Sequence, residues 1–320
     1  MTKTLRLFIG TALLSLLSVF QTAHSQSSSL RLVVPYAPGG SPDQLARIIG
    51  ERLQKTGKYV VVVDNRPGAG GTLAANAVRN SVADGTTLLL TDSSTYSIAP
   101  SLKKEGGASA TKDFKPVGLA ATSPLYLVTL PRNGTTVAGF RENLKAKPGQ
   151  AIASSGAGSA HHFLIEMMKS STGLDILHIP YRGSSQTVPA VLAGDVAATF
   201  SGLANAQSMA QAGKLTILAI AEPQRSSLTP DIPTLVESGM KDVQLTITLG
   251  LLAPAGTPDG VVTTLNEDIS AVLRMPDTKS RLNALGLVAA TSDPGAFSQI
   301  IAAELIQYSA IVKRANLSID

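Results

Sequence analysis

The side chains with chemistry to offer gather at two places in the 320-residue chain. Around position 160 the run Ala153-Ser154-Ser155-Gly156-Ala157-Gly158-Ser159-Ala160-His161-His162 sets three serines beside two histidines, the residue types of nucleophilic catalysis. No Gly-x-Ser-x-Gly elbow surrounds any of these serines. His162 and Glu166 stand four apart on one helix face, but His-x3-Glu is not the His-Glu-x2-His zinc pattern and no third ligand is near. Two readings stay open: a hydrolase using Ser159 and His162, or a small-residue loop whose histidines are structural or hydrogen-bond a ligand. Arg66 and Arg182 could each pair with a carboxylate or brace a loop.

The second place is Val33-Val34-Pro35-Tyr36-Ala37-Pro38-Gly39-Gly40-Ser41-Pro42-Asp43-Gln44, where a strand stops in a glycine-proline loop and restarts as a helix. Ser41 is expected to cap that helix, Pro42 suits its first turn, and Gln44 completes a Ser-x-x-Gln capping box. With Gly39 and Gly40 removing side-chain bulk, an anionic or oxygen-rich ligand could approach the open N–H groups of the helix start and gain from its dipole. An ordinary tight turn is the alternative. The run at 153–162 repeats the same strand, small-residue loop and helix start, so two such joins could face one another. Neither supplies the third glycine of a dinucleotide fingerprint, and no Gly-x4-Gly-Lys-Ser/Thr occurs, which argues against NAD and against a nucleotide-hydrolysing P-loop.

The elements that must position these loops follow a strand–helix rhythm. Leu30 to Val34, Tyr59 to Val63 and Thr86 to Thr91 read as strands, with helices from Asp43 to Thr56 and through Ala74 to Val78. Asp64-Asn65-Arg66-Pro67-Gly68-Ala69-Gly70-Gly71 is a second glycine-rich loop, and the polar segment Ser101 to Asp113 reads as a surface excursion. The rhythm restarts after Pro124, with helix Val137 to Ala146 and strand Ala151 to Ser154, and continues to strand Leu215 to Ala221. A second domain is the economical account. A short helix is expected to end at Gly239, and a strand from Val243 to Leu252 precedes three helices, of which Gly295 to Ala315 shows one apolar face. Lacking a sheet of their own, these helices should pack on the first, making that domain discontinuous with two crossings. Alternating strands and helices predict mainly parallel sheets.

Lys3 and Arg6, the apolar run Leu7 to Phe20 and the small-x-small pattern Ala23-His24-Ser25 predict a secretory signal peptide over 1–25, cleaved after Ser25. The apolar run is shorter than the roughly 20 residues a spanning helix needs. Removing it takes away two bases and no acid and lowers the formal charge from +5 to +3, and no basic cluster with interleaved aromatics suggests nucleic acid. The chain has no cysteine, hence no disulfide framework, no thiolate chemistry and no lipobox.

The motifs also carry a resemblance. Leu32 to Gly40 with Asp43 and Ala46-Arg47, then Val63 to Gly71, Asp84-Gly85, Ser154 to Ser159 with His162, His178 to Gly183, Ala212 to Leu215 and Gly250 to Pro258 stand in the order seen in the substrate-binding proteins of tripartite tricarboxylate transporters, the Bug family, which the chain resembles from about Leu30 to its C-terminus. The resemblance implies a periplasmic solute receptor of two α/β lobes, residues 26–123 with 246–320 and residues 124–245, in a type II-like Venus-flytrap arrangement. It implies no catalysis, cofactor or metal; membrane permease subunits as partners; and a monomer. A receptor that works in sensing, without a permease, is a further alternative. The ligand carboxylate would sit, often through water, between Tyr36, Ala37, Pro38, Gly39, Gly40, Ser41 and Asp43 in the first lobe and Ser154, Ser155, Gly156, Ala157, Gly158, Ser159 and His162 in the second. Tyr181, Arg182, Gly183 and the loop Asp92 to Thr95, with Ser93 and Ser94, would line the rest, and Ser201 belongs to the expected site. The family frequently carries Phe-Asp-Asn where this chain reads Phe200-Ser201-Gly202, a departure that weakens an amino-acid ligand and leaves mono- and dicarboxylates open.

Overall fold

The computed structural model describes residues 27–68, 71–102 and 112–315. The expected signal peptide, Ala69 and Gly70 of the second glycine loop, and most of the excursion at 101–113 lie outside the described residues.

The first lobe opens with β1 (Ser28–Val34), α1 (Ser41–Lys55), β2 (Tyr59–Asn65), α2 (Thr72–Arg79), β3 (Thr87–Asp92), a π-helical turn at Ser94–Ile98 and β4 (Phe114–Ser123). After Pro124 come β5 (Leu125–Thr129), α3 (Val137–Ala146), β6 (Gln150–Ser154), α4 (Ala160–Thr172), β7 (Ile176–Pro180), α5 (Ser184–Ala193), β8 (Ala198–Gly202), α6 (Leu203–Gln211) and β9 (Thr216–Ile220). The chain then returns through β10 (Ile247–Pro254), α7 (Asp259–Arg274), α8 (Pro276–Ala284), β11 (Val288–Ala289) and α9 (Pro294–Ala315). In place of the short helix expected before Gly239, residues 235–239 make turns, held where the Thr234 N–H donates to Glu237 Oε2 and the Glu237 N–H donates back to Thr234 Oγ1.

Two sheets result, ordered β11-β4-β10-β3-β1-β2 and β7-β6-β8-β5-β9. Both are mixed, which refines the expectation of mainly parallel sheets. β1 pairs in parallel with β2 and β3, and β6 with β7 and β8, but β10 runs antiparallel to β3 and β4, and β5 antiparallel to β8 and β9. The physical reason is connectivity. β5 and β10 are the strands by which the chain enters each lobe from the other, so they insert without a covering crossover helix and run against their neighbours.

Leu45, Ile48, Ile49 and Leu53 of α1 are buried together with Leu30, Leu32 and Val34 of β1, and each fully buried aliphatic side chain contributes roughly 1.5–3 kcal/mol. Helix α9 joins the lobes. Its Phe297 ring covers Gly250 of β10 so closely that a Cβ there would fall 2.1 Å from Phe297 Cζ. About two turns before its end Tyr308 meets Phe163 of α4 edge-to-face, with centroids 5.8 Å apart. Glu304 lies buried on the same face, its carboxylate accepting from Ser97 Oγ at 2.6 Å and Thr248 Oγ1 at 2.5 Å.

Candidate functional site

A cleft of about 610 Å³ opens where β1, β3, β6 and β8 end, walled by the segments that follow them in both lobes. Ligand sites at the carboxyl ends of strands are the usual outcome in α/β sheets, because helix starts and irregular backbone converge there.

In the first lobe, the loop after β1 is pinned by Asp43. Asp43 Oδ2 accepts from the Gly39 N–H at 2.8 Å and from Arg47 Nε at 3.0 Å, and Oδ1 accepts from Asn65 Nδ2 at 3.0 Å. Burial works to raise the Asp43 carboxyl, but the hydrogen bonds from Arg47, Gly39 and Asn65 outweigh it and hold its pKa below the usual carboxylate value. The expected capping box is absent. Gly40 is the N-cap, without a side-chain cap, Ser41 is already helical, and Gln44 donates through Nε2 to the Gly39 carbonyl at 2.7 Å. The reason is Gly39, whose φ of +95° turns its N–H onto the Asp43 carboxylate, so an acid one turn inside the helix supplies the bracing expected of Ser41. Tyr36, Ala37, Gly40 and Ser41 reach the cleft, whereas Pro38, Gly39 and Asp43 stand behind it.

The Tyr36 hydroxyl donates to Asp92 Oδ1 at 2.7 Å, and the Ser94 N–H donates to the same oxygen at 2.9 Å. Burial raises the pKa of both groups, and for Tyr36 the neighbouring Asp92 charge adds to it. Asp92, Ser94 and Thr95 line the cleft, while Ser93 is fully buried behind them. The second glycine loop also contributes Pro67, Gly68 and Gly71. Gly71 has φ +89°, and a Cβ on it would lie 3.0 Å from the Thr95 side chain.

The second-lobe loop is held by hydroxyl–imidazole pairs. Ser154 Oγ lies 2.6 Å from His178 Nε2 and accepts from the Gly156 N–H at 3.1 Å, while Ser155 Oγ lies 2.7 Å from His161 Nδ1. His162 Nδ1 accepts from the Gly158 N–H at 3.0 Å, and its ring stacks on His178 with centroids 3.8 Å apart. Ser159 caps α4, accepting from the His162 N–H and donating to the Gly156 carbonyl at 2.7 Å. Burial pushes the pKa of His161 and of His178 down to about 4, with His162 adding to the effect on His178, so both rings are neutral near pH 7. The helix start leaves the Ala160 and His161 N–H groups without intrahelical partners beside Gly156, Ala157, Gly158 and Ser159 on the wall.

The hydrolase geometry is not formed. Ser159 is consumed as a cap, and the His162 nitrogen that could serve it as a base is occupied by Gly158. The Ser155–His161 pair has no orienting carboxylate, because His161 Nε2 is buried without a hydrogen-bond partner. Among the described residues no group of three or more His, Asp or Glu is placed to hold a metal ion.

Of the other anticipated residues, Arg182 and Gly183 line the cleft. The Arg182 N–H donates to Gln186 Oε1, but its exposed guanidinium pairs with no described residue. Ser154, His162, Tyr181 and Ser201 lie off the wall: Tyr181 donates its N–H to the Ser154 carbonyl, and Ser201 is buried within β8. His161 and Asn205, which sequence reasoning did not place in the site, are on the wall. His161 adjoined a recognised loop, and its position one residue into the helix was the available signal; Asn205 offered none.

A cleft between two α/β lobes, with helix starts on both walls and no assembled acid–base set, defines a solute-binding receptor with the periplasmic binding-protein fold. The chain belongs to the tripartite tricarboxylate transporter receptor family, whose model matches residues 45–317. It is similar to protein BugT of Bordetella pertussis, with 32% identity over 290 residues that cover 90% of this chain and 89% of BugT. Among solved structures, the periplasmic binding protein BugD superposes with a TM-score of 0.79 at 30% identity, covering 91% of this chain and 98% of that one. R. palustris Rpa4515 with adipate superposes with a TM-score of 0.82 at 28% identity and the same coverages. The family is one of receptors and not of enzymes.

Proposed function

We propose that this protein is a periplasmic receptor that binds a small carboxylate-bearing solute between its lobes, 26–123 with 246–320 and 124–245, and delivers it as a monomer to the membrane subunits of a tripartite tricarboxylate-type transporter. The observation that carries this reading is a single cleft onto which both lobes direct a glycine loop and a helix start. Backbone N–H groups and the helix dipoles stabilise a carboxylate without enclosing it in buried cations, which keeps release possible. A ligand that touches both walls only when they are close shifts the hinge equilibrium by its differential affinity. Export through a signal peptide cleaved after Ser25 belongs to the same reading, and the adipate in the related R. palustris structure supports the ligand class.

Calorimetric titration of the mature protein with monocarboxylates, dicarboxylates and amino acids of three to seven carbons tests it. Binding of at least one with 1:1 stoichiometry, and recovery of that compound unchanged, is expected. Absence of binding across the series, or conversion of the compound, contradicts the reading.

A further inference from the structure

Asp92 is an unusual group to find on the wall of an anion site. It ends β3, its Oδ1 is held by the Tyr36 hydroxyl and the Ser94 N–H, and it opens onto the cleft. Among the described residues it has no ion-pair partner. Among the described residues the cleft's one permanent cation is Arg182, on the opposite lobe, and its guanidinium likewise pairs with no described residue. An acid on the first wall and a base on the second give the cleft a direction. Hydrogen bonds from the Tyr36 hydroxyl and from Ser94 and Thr95 offset part of the cost of withdrawing the Asp92 carboxylate from water, but a countercharge is missing.

Resting on the receptor reading above, we propose that Asp92 is the specificity-determining residue of the cleft and that the ligand is an amino acid in the broad sense, with an ammonium group against Asp92 and its carboxylate at the second-lobe helix start and Arg182. The second wall suits the carboxylate end through the Ala160 and His161 N–H groups and the guanidinium. A plain dicarboxylate would instead bring a second negative charge against Asp92 in a partly desolvated site, where like charges repel strongly. The absence of an acid at Phe200-Ser201-Gly202, which argues against an amine when the sequence is read alone, loses its force, because the acid arrives from the other lobe.

The test uses matched probes of four, five and six carbons: ω-amino acids, α,ω-dicarboxylates and unsubstituted monocarboxylates, with L-α-amino acids alongside, each titrated into the wild-type protein, Asp92→Asn and Tyr36→Phe. Asparagine keeps an acceptor for the Tyr36 hydroxyl and the Ser94 N–H, and melting of the ligand-free variant reports its folding. The expected result is that an amino-bearing probe binds wild type at least tenfold more tightly than the monocarboxylate or dicarboxylate of its length, that Asp92→Asn erases this preference, and that Tyr36→Phe weakens all probes alike. A dicarboxylate binding tightest, or a preference that survives Asp92→Asn, overturns the assignment while leaving the receptor reading intact. Absence of binding by every probe overturns both.

Discussion

After β1 the cleft loop is held by charge: one buried carboxylate, Asp43, gathers the Gly39 N–H, Arg47 and Asn65 from three directions. After β6 the corresponding loop is held by neutral groups, with Ser154, Ser155 and the Gly158 N–H each against an imidazole and Ser159 as a cap. Strand, glycine loop and helix start are common to both, but the first lobe ends its wall in an acid, Asp92, and the second in a base, Arg182. Backbone topology thus creates a helix start on each wall, whereas the side chains behind and beside them give the two walls opposite charge. The two loops should therefore fail differently, one when a charge is deleted and the other when an imidazole is protonated.

The largest effect is expected from Asp43→Ala, which removes a buried ionised acceptor from three donors and should lower stability by roughly 2 kcal/mol, with solute affinity falling at least tenfold as the first loop loosens. Chemical denaturation and titration calorimetry check it, and an unchanged affinity would show that Asp43 does not hold the first loop in its binding form. The next largest effect is on the pH dependence of stability. His161 and His178, lowered to about 4, bind fewer protons folded than unfolded, so their contribution is present above about pH 6.5 and is lost as the pH falls toward 4, by ~1.4 kcal/mol per pH unit for each group. Glu304 and Glu222, each raised to about 7 chiefly by burial, act in the opposite sense: their contribution is full below about pH 4.5 and is lost as the pH rises through 7. The wild-type melting temperature should therefore be nearly level from about pH 4.5 to 6.5, and Glu304→Gln should tilt it, rising with pH as one opposing group is removed. A level profile in that variant would contradict the assignment.

Smaller still, Ser159→Ala should cost about 1 kcal/mol through loss of the α4 cap, measured by denaturation, without the loss of affinity seen at Asp43. Arg182→Ala should leave stability unchanged, since its guanidinium pairs with no described residue, and weaken carboxylate binding several-fold with reduced salt dependence. Equal binding at low and high salt in wild type would argue against that role.

Much of the fold could be read from local pattern. Helix α3 at Val137–Ala146 coincides with its expected bounds, and α1, expected from Asp43 to Thr56, runs from Ser41 to Lys55 with Thr56 as its C-cap. Strand direction could not be read so, because β5 and β10 owe their reversed sense to the lobe they arrive from and not to their own residues. At the site, glycine loops announced where the backbone is open. What lies behind them did not show, since Ser154 meets His178 across 24 residues and Tyr36 meets Asp92 across 56. The capping box illustrates the limit: Ser41-x-x-Gln44 satisfies the pattern, yet a positive φ at Gly39 gives the role to Asp43.

Occupation of the cleft between the lobes by the solute is tested by adding a side chain there. Gly40 lines the cleft, has an ordinary φ of −73°, and an added Cβ would meet nothing closer than 3.9 Å, so Gly40→Leu can fill the cleft without straining the backbone. Titration of this variant with the tightest-binding probe is predicted to show affinity reduced at least a hundredfold while the ligand-free melting temperature stays within a few degrees of wild type; full affinity in a folded Gly40→Leu protein would contradict it.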